Sequence, residues 1–177
     1  MVPQDMFVRD PVINVSVTLP VNPPGTADVL TLEDVWVGLL HQQRYAQDYV
    51  PHITNVEITE KTILSSTSTS YKRVTHLSQE AYPNTPPLVQ DVIVIDSYTH
   101  TNNTLATATI SVGQTDRDIY YSLSYERPAP GISADSPEAA KMRTDFIEMA
   151  RKNVASCIDL TRSYKAEGRY DGMGRFL

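Results

Sequence analysis

Hydrophobic and polar positions alternate strictly over "INVSVTLP", with Ile13, Val15, Val17 and Leu19 on one face and Asn14, Ser16 and Thr18 on the other. A period of two marks a strand with one buried face. The segment "VNPPGTADV" breaks it with Pro23, Pro24 and Gly25. A helical period follows. Thr31 is placed to cap, Glu33 and Asp34 occupy the first turn, and Leu32, Val35, Trp36, Leu39 and Leu40 form an apolar face. A second short helical piece is expected within residues 42–51, closed by Pro51. From residue 52 to 127 the pattern is β again: "ITNVEITEK", "SYKRVTHLS", "PLVQDVIVIDSYTH", "NTLATATISV" and "DIYYSLSYER" are strand-like, with turn-like "AYPNTPP", "HTNN" and "GQTDRD" between them. Short links between successive strands predict an antiparallel meander.

After the Pro/Gly break "RPAPGISADSPE", Ser136 as cap, Pro137 in the first turn and Glu138 beside it predict a last helix running to about Lys165, ~40 Å long. Its apolar stripe takes in Phe146, Met149, Ala150, Val154, Cys157, Ile158 and Leu160, and Asn153 lies near the middle of that stripe. An amide left unpaired in a dry core costs roughly 1–3 kcal/mol. Asn153 therefore has a fixed protein partner, or the helix faces a cavity. A sheet this long must bury one face, and the final helix is the one large partner available to it. The expected fold is α+β: a curved antiparallel sheet wrapped around a long C-terminal helix, with an internal cavity where the two diverge. One domain over residues 1–167 and an irregular, glycine-rich tail over 168–177 are expected.

The 177 residues, 41% hydrophobic and 20% charged, suit one globular domain. A net charge of −6 argues against nucleic acid or an anionic membrane as partner. One cysteine forbids an intrachain disulfide, and the first residues lack an apolar signal core. No stretch approaches the ~18 apolar residues of a membrane span. A cytoplasmic protein is expected.

The histidines His41, His52, His76 and His100 show no metal-ligand spacing, so no metal is expected. There is no GxGxxG, P-loop or GxSxG pattern, which removes the common nucleotide and serine-hydrolase chemistries. On the strand-like "SYKRVTHL" the odd positions are Tyr71, Arg73, Thr75 and Leu77, and on "LVQDVIVI" they are Val89, Asp91, Ile93 and Ile95. If both odd faces point inward, Arg73 and Asp91 pair across neighbouring strands; otherwise they are a structural ion pair or solvated side chains. On "DIYYSLSYE" the inward set is Ile119, Tyr121, Leu123 and Tyr125, bringing two phenols to an apolar wall, either packed to the rim or lining a cavity. Cys157, on the helix stripe, reads as a small wall residue rather than a nucleophile.

The order strand, helix, strands, long helix resembles the helix-grip fold of the START-like, birch-allergen-like or SRPBCC superfamily. More closely, "VTLPVNPPG" followed by "LTLEDVWVGLLHQQRYAQDYVPHITNVEITE" resembles the fungal AtaL-like family over residues 15 to 60. The likeness continues loosely through "KRVTHL" and "LVQDV", where Arg73 keeps the family's arginine and Asp91 stands in place of a glutamate. The resemblance implies a role in fungal secondary metabolism, with no metal or organic cofactor typical of the superfamily. It leads to the expectation of a cofactor-independent enzyme of cyclase, isomerase or lyase type acting on an apolar polyketide- or peptide-derived intermediate. A non-catalytic carrier of such a molecule is the alternative. Tyr121 and Asn153 are the candidate donors, Arg73 the candidate stabiliser of negative charge, and Asp91 its orienting group or a base. Trp36, Tyr71, Ile93, Leu123, Tyr125, Met142, Phe146, Met149 and Cys157 are the candidate substrate-binding wall. The expected partner is an apolar small molecule, and a homodimer is compatible with the sequence. A ketosteroid-isomerase-type cone is opposed by the strand-first, helix-last order.

Overall fold

The opening alternation becomes strand β1 (Val12–Pro20), with Ile13, Val15 and Val17 buried. The computed structural model describes residues 12–95, 98–101 and 106–170, and of 98–101 the backbone alone. The Pro/Gly segment after β1 is closed by Asn22, whose side chain bonds both the N–H and the C=O of Leu30 at 2.9 and 2.8 Å. Helix α1 (Leu32–Arg44) starts in a capping box: Thr31 Oγ1 accepts from the Asp34 N–H, and the Asp34 carboxylate accepts from the Thr31 N–H. Val35, Trp36, Leu39 and Leu40 are buried as the stripe predicts, but Leu32 is exposed, one position too early to face the core. The second helical piece shrinks to one 3-10 turn, Ala46–Asp48.

Seven antiparallel strands form one sheet in the order β1-β7-β6-β5-β4-β3-β2. The meander runs β2 (Ile53–Ser65), β3 (Ser68–Leu77), β4 (Leu88–Ile95), β5 (Tyr98–Thr101), β6 (Ala106–Val112) and β7 (Ile119–Pro128). "PLVQDVIVIDSYTH", read as one strand, is two, β4 and β5. The expected turn "HTNN" runs into residues 102–105, outside the described residues. Through α1 the chain crosses from β1 at one sheet edge to β2 at the other.

Helix α2 (Pro137–Ala166) packs on β1, β7 and α1. Ser136 caps it, accepting from the Ala139 N–H at 3.1 Å, with Pro137 in the first turn. Ser136→Ala should therefore lower stability by about 1 kcal/mol. That would be read as a lower urea midpoint at unchanged slope. One core cluster joins α1, the sheet and the C-terminal half of α2. A smaller one puts Met142, Phe146 and Ile147 against Ile13, Val15, Ala129 and Ala139. The result is the α+β helix-grip arrangement. Of the expected tail, Tyr170 packs against the main core, and residues 171–177 lie outside the described residues. No helix among the described residues is long and apolar enough to cross a membrane.

At the far end of the helix pair, His41 is buried among Tyr45, Tyr49, Tyr164 and Tyr170, with Nδ1 3.1 Å from the Tyr49 hydroxyl. Burial lowers the His41 pKa, Asp48 opposes that shift, and Arg169 and Arg44 reinforce it. Below pH ~6.5 the unfolded chain then takes up a proton that the folded one refuses. Stability should therefore fall as pH drops from ~6.5 towards the folded-state pKa. Urea titrations at pH 7.5 and 5.5 should show a loss in the wild type that is smaller in His41→Asn.

Candidate functional site

Between the sheet and the middle of α2 lies a cavity of about 620 Å³, inside the usual range for small-molecule sites. Its origin can be read along β6. The inward positions are Ala106, Ala108 and Ile110. Where isoleucine stands the core is filled, and where the two alanines stand the wall recedes and space opens. Opposite these alanines in register are Leu123 and Tyr125 of β7, which line the same cavity. Met149 and Asn153 of α2 close one side, and Gln42, Gln43 and Val50, at and just beyond the end of α1, close another.

Asn153 satisfies both halves of the sequence argument. It lines the cavity, and its Nδ2 donates to the Tyr125 hydroxyl at 3.0 Å. Tyr125 accepts there, so its own O–H is free to donate into the cavity. Burial raises the Tyr125 pKa against the opposing effect of the Asn153 bond, which keeps the phenol protonated. Tyr121 is buried deeper and donates to Gln42 Oε1 at 3.0 Å. Burial holds its pKa well above the usual value, and neighbouring Cys157 acts the same way.

Arg73 points inward from β3 and is 8% exposed. Its Nε donates to Gln90 Oε1 at 2.8 Å, and its Nη1 donates to the Gln43 carbonyl at 2.8 Å and to Gln43 Oε1 at 3.2 Å. Gln90 Oε1 also accepts from Thr75 Oγ1 at 2.8 Å. The Gln43 carbonyl belongs to the last turn of α1, so the guanidinium caps the negative end of that helix.

Asp91 does not join this group. Arg73 stands opposite Gln90 in register, and on β4 the even positions Gln90, Val92 and Val94 are buried while Asp91 is exposed. The inward set of this strand is therefore the even one, and the condition under which Arg73 and Asp91 would pair is not met. Residues 92–95 are apolar on both faces, so alternation gives no phase there, and a carboxamide is far cheaper to bury than a carboxylate. Asp91 instead stands opposite Lys72 on the outer face. Ile93 shares that outer face and does not line the cavity.

Of the expected wall, Leu123, Tyr125 and Met149 line the cavity together with Tyr121, Asn153 and Arg73. Trp36 and Tyr71 are buried in the main core, while Met142 and Phe146 pack in the smaller cluster under β1. Cys157 borders a void of about 10 Å³ behind Tyr121, room for one water at most. Burial pushes its thiol up to about 12, which disfavours the thiolate that a nucleophile needs. Sequence reasoning missed Gln42, Gln43, Gln90 and Arg127. The signal for the first two was present, since "HQQR" ends α1 directly after its apolar face. Among the described residues no group of three or more His, Cys, Asp or Glu side chains could hold a metal.

The model of the AtaL family, described as acetylaranotin biosynthesis cluster protein L, matches residues 15–168. No curated relative matches the sequence. Among solved structures, the chain is similar to the di-domain ARO/CYC StfQ from the steffimycin biosynthetic pathway, with 11% identity and TM-score 0.53. That match covers 89% of this chain and 52% of the other, so the chain spans about half the length of that protein. An 18 kDa protein from Caulobacter crescentus matches with 10% identity, TM-score 0.51 and coverage of 89% and 98%. Ara h 8.0201 matches with 12% identity, TM-score 0.50 and coverage of 86% and 99%. At these identities the likeness concerns the fold.

Proposed function

The chain belongs to the AtaL family, and from that premise we propose that it is a cofactor-independent tailoring enzyme of secondary metabolism. It binds an apolar polyketide- or peptide-derived intermediate in the cavity and guides its cyclisation, rearrangement or dehydration. The observation that carries this reading is the cavity of about 620 Å³, with Arg73, Tyr125 and Asn153 directed at one largely apolar space. An apolar wall that holds one folded conformer brings reacting carbons together, and fixed donors stabilise negative charge developing on a carbonyl oxygen. Tyr125 supplies a free O–H, and Arg73 the permanent charge. Tyr121 sets the wall behind them and holds Gln42 in place.

A second reading, a carrier for the same class of molecule, draws support from the displacement of Asp91 to the outer face. Without it no carboxylate borders the cavity among the described residues, and a carrier needs no base.

Deleting the gene in its producing organism and isolating the intermediate that accumulates supplies the test compound. Conversion by the purified protein, followed by mass spectrometry, supports the enzyme. Saturable binding with an unchanged compound leaves the carrier. Neither conversion nor binding overturns both.

A further inference from the structure

The charge lining the cavity has one sign. Arg73 and Arg127 both border it, and no aspartate or glutamate among the described residues does. This runs against the chain as a whole, whose net charge is −6. The contacts of Arg73 sharpen the point. Its partners are two neutral glutamines, and it makes no ion pair among the described residues. The end of α1 offers only a partial negative charge, about half an elementary unit. Nε and Nη1 are occupied, while Nη2 has no partner among the described residues. Arg127 lies with its guanidinium 5.4 Å above the Phe146 ring, and its buried Nε has no hydrogen-bond partner there. A buried cation without a counter-ion is costly in a protein interior. Here Arg73 is such a cation, and Arg127, half-buried with a buried unpartnered Nε, borders the same space, which is large enough for a ligand.

We infer that the molecule held in this cavity is an organic acid, with an apolar body against Leu123, Ala108 and Met149 and an anionic oxygen group on Nη2 of Arg73. The inference rests on the cavity reading above and adds the charge of its occupant. Arg73 is pre-organised for this role. Gln43 and Gln90 fix its plane from two sides, so little side-chain entropy is lost when the acid binds. Arg127, on β7, borders the same cavity from across the sheet and raises its positive potential.

Two fluorescent probes that share one skeleton test this. N-phenyl-1-naphthylamine is neutral, and 8-anilinonaphthalene-1-sulfonate is the same apolar body carrying a permanent anion. The sulfonate should bind the wild-type protein at least about tenfold more tightly in low salt, the lower end of what a charge-assisted hydrogen bond is worth. Arg73→Gln should bring the two affinities close together while leaving the neutral probe bound, and Arg127→Gln should remove part of the difference. If the neutral probe binds saturably and the sulfonate binds no better, the acid assignment falls and the cavity reading stands. A sulfonate preference that survives in both variants also overturns it, because the anion then sits elsewhere. If neither probe binds, the cavity reading falls and takes the inference with it. Should Arg73→Gln fail to fold, the wild-type ratio and Arg127→Gln still decide.

Discussion

Gly38→Ala will destabilise the protein by about 2–3 kcal/mol, the upper part of the range for overpacked cores. The sign is opposite to what helix propensity alone gives, since alanine for a helix-interior glycine ordinarily gains about 0.5–1 kcal/mol. The reason is the crossing of α1 and α2. A Cβ at Gly38 would sit 2.2 Å from Thr161 Oγ1, 2.8 Å from its Cγ2 and 3.0 Å from its Cβ. Thr161 has little freedom to move aside. It is buried, β-branched within a helix, and its Oγ1 donates to the Cys157 carbonyl at 2.7 Å. The helices must separate, and in separating they disturb Val154, Cys157 and Ile158, which anchor α2 in the main core. Thermal unfolding should show Tm lowered by roughly 5–10 °C for a chain of this size. The double variant Gly38→Ala, Thr161→Ala should recover most of the loss, because only the 3.0 Å contact to Cβ survives. An unchanged Tm in the single variant would show that the helices slide apart freely and that the close approach of Gly38 to Thr161 is not needed for stability.

That crossing was not legible in the sequence. Nothing local marks Gly38, because Thr161, the residue that makes it necessary, lies more than a hundred positions away. What the sequence did disclose was local. Thr31 and Ser136 cap their helices because capping is decided by residues three positions apart. The inward sets of β1 and β7 follow from clean alternation. The phase of β4 did not follow, because "VIVI" is equally apolar on both faces and register is set by the neighbouring strand. The wall of the site was legible by face and not by depth. Periodicity places Met142, Phe146, Met149, Asn153 and Cys157 on the inner side of α2, yet the helix passes over three different environments. Met142 and Phe146 cover β1, Cys157 enters the main core, and only Met149 and Asn153 cross the open space left by Ala106 and Ala108. Asn153 was the informative residue because a polar group in an apolar stripe must have a reason, whereas Ala106 and Ala108 gave no sign that their smallness mattered.

Arg73→Met will separate stability from recognition. Two opposing terms act on the fold. Removing a buried guanidinium that has no carboxylate partner relieves a desolvation cost, which burial also expresses by lowering its pKa, against the opposing effect of Tyr71. Against this, the Gln43 carbonyl, Gln43 Oε1 and Gln90 Oε1 each lose a donor. Gln90 Oε1 keeps Thr75, and both glutamines border the cavity, where water can reach them. The loss should therefore be about 1–2 kcal/mol, less than the full penalty for stranded buried polar groups. The effect on ligand choice should be larger. With methionine the cavity keeps its volume and its apolar wall but loses its fixed charge, so acidic ligands should weaken by tenfold or more while neutral ones hold. Arg73→Lys gives the control. A lysine restores the charge but cannot span Gln43 and Gln90 with a planar fork, so it should recover part of the preference for acids and little of the stability. Chemical denaturation of the three proteins, beside their affinities for the matched neutral and anionic probes, reads both quantities. If methionine and arginine proteins bind the two probes alike, Arg73 is only the cap of α1, and the positive charge at the cavity serves the fold and not its ligand.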